Sequence, residues 1–372
     1  MNSPTLCSCS VSQEAESIKD FSLAVFDTIE SVSEQAWNKQ IPEANFLMQY
    51  EELKLIEKIH ADTMQFFYVL VKSKGTIIGA MYFQVVMFHA NQLINYFPAF
   101  AEANMVMKGL KTFSEKLLNL INVKLLVSGN VFMTGENGFY FHHEISKATR
   151  AKILRKTICD ILKKNSSIKA VLISDLYKPK TEFDSDFEKS GYNEIYVESD
   201  MSIRLKNEWK TFDDYINVLS SKYRVRAKKV FTLCAENGVQ QKELNLEEIK
   251  EHEEQLSALY QKVIAKADFK LAELSKDFFA EQKKSLPTNY RLFAYYKGGK
   301  MIGFISAFLF GKRMEIHYTG MDAAVTKPIH LYQHMMYDMV KIGIENRVDR
   351  LHFGRTAPEI KSTIGATPSP MY

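Results

Sequence analysis

No stretch of the sequence is long and apolar enough to cross a bilayer as a helix. Its most apolar run, residues 77–88, carries Gln84 and falls well short of the ~20 residues such a helix needs. It reads as a buried strand. The first residues lack a basic start followed by an apolar stretch, so no secretory signal is read there. Cysteine is scarce: Cys7, Cys9, Cys159 and Cys234 offer no C-x-x-C pair and no disulfide framework, which implies reduced thiols and a cytoplasmic setting. Only 16 glycines occur, and none builds a Walker A loop or a G-x-G-x-x-G fingerprint. Nothing reads as a large doubly wound domain with a Schiff-base lysine, which disfavours pyridoxal-phosphate chemistry. Charge of one sign is lacking too. The 48 basic and 44 acidic residues leave a net +4, so any footprint for nucleic acid must be local.

What is present is aromatic. With 25 Phe and 18 Tyr in 372 residues, the chain can build two sizeable cores. Its periodicity mixes strands and helices throughout. In the first half, residues 37–59 read as two helices broken near Pro42, and 65–71 and 77–88 as strands joined by a glycine-ended hairpin turn. Residues 101–120 read as a helix, 124–128 as a strand, 144–163 as a helix, 168–174 as a strand. A short helix closing at Gly191 precedes a strand over 193–205. In the second half, 215–236 reads as a helix stopped at Asn237-Gly238, followed by helices over 246–267 and 275–284. Three consecutive antiparallel strands follow over 290–297, 300–310 and 313–319. A helix over 329–346, a strand over 349–353 and a short helix over 359–364 complete the chain.

The halves repeat one another. Val69-Leu-Val-Lys-Ser-Lys-Gly-Thr-Ile-Ile-Gly79 lies over Phe293-Ala-Tyr-Tyr-Lys-Gly-Gly-Lys-Met-Ile-Gly303. Thr134-Gly135 matches Thr319-Gly320, and Lys189-Ser-Gly191 matches the short helix closing at Gly365.

This order of elements resembles a GNAT acyltransferase domain, and two in tandem resemble the FemAB-like family, which contains transferases adding amino acids to peptidoglycan precursors. Lys222-Tyr-Arg-Val-Arg-Ala-Lys-Lys229 resembles the family's basic helix ahead of its second domain. Thr319-Gly320, the following helix and Leu351-His-Phe-Gly-Arg355 resemble its closing aromatic–Gly–Arg turn. The resemblance implies an α/β (α+β) chain of two tandem GNAT-like domains, with mixed, mainly antiparallel sheets flanked by helices. The boundaries read as a tail over 1–20, one domain over 21–206 and another over 207–372. The second carries a basic helix over 220–236 and a helical segment over 246–285. Two departures stand out. The helices over 246–284 are a modest counterpart of the family's long helical arm, and the sequence stops where the second domain's last strand should begin.

Acyl transfer to an amine needs a base, donors for a tetrahedral oxyanion, and a proton source for the leaving group. In the GNAT fold the fourth and fifth strands splay apart to receive the acyl group; here these are residues 313–320 and 349–354. Backbone N–H groups from Tyr318 to Gly320 are the expected oxyanion donors. By alternation Glu315, His317 and Thr319 share one face, with Met314, Ile316 and Tyr318 on the other. His317 is either the base or a core histidine bonded to Glu315 or a carbonyl. Arg355 ends a parallel strand, where open sheets bind ligands; it either forks onto an anion or pairs with Glu359, the group that would orient it. Lys222, Tyr223, Arg224 and Arg226 belong to a basic run that either meets a phosphate backbone such as tRNA or is a solvated face. His330, His334 and Asp338 fall on one helical face, read as solvated; no metal site is expected there or at His142-His143.

Where a GNAT domain carries its glycine-rich pyrophosphate loop, this chain has Ala323-Ala-Val-Thr-Lys-Pro-Ile-His-Leu331, without glycine. An ordinary acetyl-CoA enzyme is therefore disfavoured. The expected function is a FemAB-like acyl- or aminoacyltransferase acting on an amine of a cell-envelope precursor or related metabolite. It would need no cofactor beyond an acyl donor, either aminoacyl-tRNA or acyl-CoA. The rivals are a CoA-dependent N-acyltransferase with a degenerate loop and a non-catalytic module binding RNA or protein. Because Val131, Phe132 and Met133 precede Thr134 in the first half, the active half is expected to be the second.

Overall fold

The computed structural model describes residues 21–42, 45–89, 122–177, 187, 190–194, 196–266 and 271–371. The 1–20 tail and the helix expected over 101–120 lie outside them. The chain divides into two compact units, the first running to Val197 and also taking Asp268–Glu273 and Met371–Tyr372, the second comprising Glu198–Ala267 and Leu274–Pro370.

In the first unit, β1 (Phe21–Phe26), β2 (Gln65–Ser73), β3 (Thr76–His89), β4 (Asn122–Ser128) and β6 (Ile168–Ile173) form one sheet in the order β1-β2-β3-β4-β6. The short β5 (Phe139–Phe141) pairs with β3. All pairings are antiparallel except β4 with β6. Helices α1 (Glu34–Asn38) and α2 (Tyr50–His60) precede β2, and α3 (Lys147–Lys164) makes the crossover into β6. Ser146 caps α3 by accepting the Thr149 N–H, and Ala151, Leu154, Ile158 and Ile161 form its buried stripe. That stripe packs on Val69, Val71, Met81, Phe83 and Val85. The opposite sheet face carries Tyr68 and Tyr82, with Trp37 of α1 edge-on to Tyr68.

In the second unit, β7 (Val197–Arg204) is followed by α4 (Phe212–Val218) and α5 (Ser221–Glu236), separate helices where the sequence suggested one. Then come β8 (Gln240–Glu243), α6 (Leu246–Glu251), α7 (Glu253–Ile264) and α8 (Phe278–Ser285). The meander is β9 (Tyr290–Lys297), β10 (Lys300–Phe310) and β11 (Arg313–Met321). After it come α9 (Ala323–Thr326), α10 (Leu331–Glu345), β12 (Arg350–His352), α11 (Pro358–Thr363) and β13 (Thr367–Met371). The sheet runs β13-β7-β12-β11-β10-β9-β8. Met201, Ile203, Tyr295, Ile305, Met314 and Leu351 face the core shared with Met335, Met339 and Val340 of α10.

The repeat is visible in the pairing pattern. The paths β1-β2-β3-β4-β6 and β8-β9-β10-β11-β12 share one order, three antiparallel pairs and then a parallel one. Both hairpins turn through two residues of positive φ, Lys74-Gly75 and Gly298-Gly299, as a type I′ turn requires. Both then bulge at the same place. Lys72 pairs with Ile77 and Val71 with Gly79, while Tyr296 pairs with Met301 and Tyr295 with Gly303.

Thr134-Gly135 does not correspond to Thr319-Gly320. It lies in a turn beyond the end of β4, with Gly135 at φ 98, whereas Thr319-Gly320 lies inside β11. The strand expected over 193–205 at the close of the first half runs as β7 beside β12 in the second sheet. That edge position, for which the sequence seemed too short, is filled by β7, with β13 outside it. Cys234 is a free, buried thiol, as the reading of reduced cysteines expects of it.

Candidate functional site

The strand expected to carry the chemistry, β11, is bulged. Ala307 pairs with Ile316 and Ile305 with Thr319, so His317 and Tyr318 together oppose Ser306. This extra residue breaks the alternation. Glu315 shares the face of its partner Phe308, while Thr319 shares that of Ile305, on the α10 side. The expected polar trio is thus divided. The Tyr318 N–H donates to Ser306 Oγ at 3.1 Å, so this amide is not the open oxyanion donor the sequence suggested. His317 lies among rings, 4.2 Å from Tyr318, 4.9 Å from Phe308 and 5.6 Å from Phe278 between centroids.

The charged groups gather one strand over. Glu315, 5% exposed, ion-pairs with Arg313. Burial pushes its pKa up, against the lowering pull of His352 and Arg313. His352 of β12 places Nδ1 2.9 Å from Asp200 Oδ2 on β7 and Nε2 3.9 Å from Glu315 Oε1. Three strands therefore contribute one buried chain, Arg313–Glu315–His352–Asp200. Sequence reasoning missed it; its only trace was Asp200 and Ser202 alternating with apolar Met201 and Ile203.

Beyond β12 the chain turns sharply, with Gly354 at φ 69 and Ala357 at φ 56, into α11. Lys361 of that helix is buried, and its Nζ donates to the carbonyls of Phe353 at 2.6 Å and Gly354 at 3.0 Å. Burial lowers its pKa to about 8, against the raising effect of the Asp200 and Glu198 carboxylates. Nothing in the sequence marked it, since a lysine in a last helical turn usually serves the local carbonyls. Arg355 lies half-buried in the same turn. Glu359 is exposed on the first turn of α11 and has no ion pair among the described residues, so it does not orient Arg355.

On α5, Ala227, Val230 and Cys234 are buried, while Lys222, Arg226, Lys228 and Lys229 are exposed. Tyr223 and Arg224 are half-buried, Arg224 donating to the Asn217 carbonyl at 3.1 Å. The stretch lacking the pyrophosphate glycines forms α9, capped by Asp322, and enters α10 through His330 at φ 54.

Of the face read as solvated, His330 at the start of α10 is exposed, but the rest is not. His334 and Asp338 are largely buried, Nε2 to Oδ2 3.4 Å, and Tyr295 donates its hydroxyl to Asp338 at 2.8 Å. Burial pushes His334 down to about 4 and Asp338 up to about 7. No group of three or more metal-ligating side chains occurs among the described residues. No described helix is long and apolar enough to cross a membrane.

In the first unit, Val131–Met133 lies in the turn after β4, and Asp175 is buried at φ 61, its carboxylate accepting the Gly135 N–H at 3.0 Å.

Solved structures share this architecture. FemX, 11% identical, superposes with a TM-score of 0.51 over 94% of this chain and 97% of its own. A tandem GNAT protein from the clavulanic acid biosynthesis pathway, 8% identical, gives 0.52 over 94% and 96%. Both likenesses are of fold. No curated protein matches the sequence. Residues 131–372 match the FemAB-like family, described as peptidoglycan biosynthesis/recognition, and the chain belongs to that family.

Proposed function

We propose that the second unit transfers an acyl or aminoacyl group to an amine on a cell-envelope precursor, at the C-terminal end of β12. The observation that carries this reading is Lys361. A protonated lysine has three donors, and two are spent on the Phe353 and Gly354 carbonyls. The third, with Arg355 in the same turn of chain, would supply positive charge at the strand end where a tetrahedral oxyanion or anionic leaving group would form. A pKa near 8 keeps Lys361 mainly charged at neutral pH.

In this reading His317 accepts the proton of the attacking amine. The Asp200–His352–Glu315 chain fixes the β7–β12–β11 strand ends. The exposed cations Lys222 and Arg226 of α5 suit the phosphates of an aminoacyl-tRNA donor better than coenzyme A, whose glycine-rich cradle the chain lacks. Thermal shift of the full chain with aminoacyl-tRNA, deacylated tRNA, coenzyme A and acetyl-CoA tests the donor, because a ligand of the native state raises stability by RT ln(1 + [L]/Kd). Aminoacyl-tRNA should stabilise most. A clear response to micromolar coenzyme A would overturn the tRNA assignment, and no response to any of them would leave a binding module.

A further inference from the structure

The carbonyls that hold Lys361 are themselves tied to a neighbouring strand. Pairing of β7 continues past the end of β12: the Met201 N–H donates to the Gly354 carbonyl at 3.2 Å, and the Phe353 N–H donates to the Met201 carbonyl at 2.8 Å. The Gly354 carbonyl thus accepts from both Met201 and Lys361 Nζ. Asp200 directly precedes Met201. Strand alternation puts it with Glu198 and Ser202 on one face of β7, while Met201 and Ile203 enter the core. Its carboxylate is anchored from β12, since His352 Nδ1 lies 2.9 Å from Asp200 Oδ2. An ionised carboxylate only accepts, so the imidazole carries its proton on that nitrogen.

Few charged groups surround Lys361. From β7 come Asp200 and Glu198, from β12 His352, from the turn Arg355, and from α11 itself Glu359. On α10, Gln333 meets the helix through Thr363 at 2.8 Å and is uncharged. Tyr215 of α4 donates to the Ile364 carbonyl, and β13 carries no titratable side chain. Against the lowering by burial, Asp200 is the larger of the two carboxylate influences on Lys361 and Glu198 the smaller. Asp200 is 2% exposed and Lys361 1%, so little water screens them from each other. Glu198 and Glu359 are exposed, where solvent screens a charge.

We propose that Asp200 is a positioning residue of the second unit's site: its buried carboxylate, fixed by His352, keeps the Lys361 ammonium charged at the end of β12. The proposal rests on Lys361 serving the transfer described above. A neutral lysine has only two N–H bonds, and the Phe353 and Gly354 carbonyls take both. Only the charged form has a third donor for an oxyanion. Removing the carboxylate takes away a raising influence and leaves burial unopposed, so Lys361 should then lose its proton at lower pH.

Asp200→Asn keeps an oxygen for the His352 proton and removes the charge. Asp200→Ser, also neutral and also an acceptor, is the second variant should the first not fold. Glu198→Gln is the exposed control. Two readouts are taken on the full chain. One is the titration of the Lys361 side chain by NMR with carbon-13-labelled lysine, its signal assigned by its absence in Lys361→Met. The other is the pH profile of single-turnover transfer from aminoacyl-tRNA to an amine-bearing peptidoglycan precursor. Each neutral Asp200 variant should move the Lys361 titration and the alkaline limb of transfer down by about one pH unit. Glu198→Gln should move either by no more than about 0.3. Against the wild type at the same pH, transfer by the Asp200 variants should fall about fivefold or more at about pH 8.5 and stay within about twofold at about pH 6.5. A Lys361 titration that stays in place in the Asp200 variants, or moves as far in Glu198→Gln, would overturn the proposal. So would a loss of transfer that is equal at every pH, which marks a merely structural role. A titration that moves as expected in a chain that transfers nothing would support the hold of Asp200 on Lys361 and sink the transferase reading instead.

Discussion

Counted from Gly79 and Gly303, the two sheets carry different chemistry at matching positions. Val127 stands where Glu315 stands, and its parallel neighbour Leu172 stands where His352 does. The first unit closes its β4–β6 pair with hydrocarbon; the second closes β11–β12 with a carboxylate and an imidazole. One strand over the pattern reverses, since Gln84 stands where Phe308 does and Tyr82 where Ser306 does. The first unit places its buried polar groups on β3, and the second places most of them on β11 and β12, with Ser306 as the polar residue of β10. With strand order unchanged, the described buried charge at the first unit's parallel strand end is the carboxylate of Asp175, which holds a turn, whereas the second unit gathers Glu315, His352, Asp200 and Lys361.

The largest effect that would sharpen this comparison is at Arg355. Arg355→Ala should lower turnover about 100-fold, by analogy with the loss of one oxyanion donor, with the circular dichroism spectrum unchanged. His317→Ala should lower kcat more than it raises KM if the imidazole takes the amine proton. Unaltered kcat in the His317 variant would return that ring to the aromatic core.

Next in size is a pH effect confined to the second unit. Asp338, at about 7 when folded against an ordinary 3.8, holds an extra proton in the native state, so it makes stability fall as pH rises from about 4 to 7. His334, at about 4 against 6.5, makes the unfolded state the better proton binder, so it makes stability rise with pH from about 4 to 6.5. In the wild type these slopes oppose. Asp338→Asn should expose the rising one and His334→Gln the falling one in urea melts between pH 4 and 7. Parallel profiles in the two variants would contradict the shared burial of the pair.

How far the sequence foretold this arrangement depends on the range of the forces involved. The hairpins at Lys74-Gly75 and Gly298-Gly299 were legible because positive φ is written in local residue choice. The α10 face was misread because a histidine and an aspartate spaced four apart look the same whether solvent or Tyr295 meets them. His352 and Asp200 are 152 positions apart, and only strand pairing brings them together. The bulge at His317-Tyr318 reassigned every face after it, which no alternation rule applied to one strand can foresee. Thr134-Gly135 matched Thr319-Gly320 only as a pair of letters, one in a turn and one in a strand.

A smaller contrast compares Ser306 with its counterpart Tyr82. Ser306→Ala leaves the Tyr318 N–H without its acceptor and should cost about 1–3 kcal/mol in urea unfolding. Tyr82→Phe loses only a side-chain interaction with Gln84 and should cost about 1 kcal/mol or less. Equal losses at the two sites would undo the distinction. The smallest expected effect belongs to the exposed helix α5, where Lys222→Glu with Arg226→Glu should weaken tRNA binding severalfold and flatten its salt dependence.

The most direct test sets the two units against each other in one experiment. Single-turnover transfer of a labelled amino acid from aminoacyl-tRNA to an amine-bearing peptidoglycan precursor is followed for the wild type, Lys361→Met and Asp175→Asn. Asp175→Asn keeps the oxygen that accepts the Gly135 N–H and should transfer within about threefold of the wild type, as expected when a hydrogen bond to structure is retained. Lys361→Met removes the buried charge held by the Phe353 and Gly354 carbonyls and should lose transfer by at least about 100-fold. Transfer that survives in Lys361→Met and disappears in Asp175→Asn would place the chemistry in the first unit and contradict the assignment.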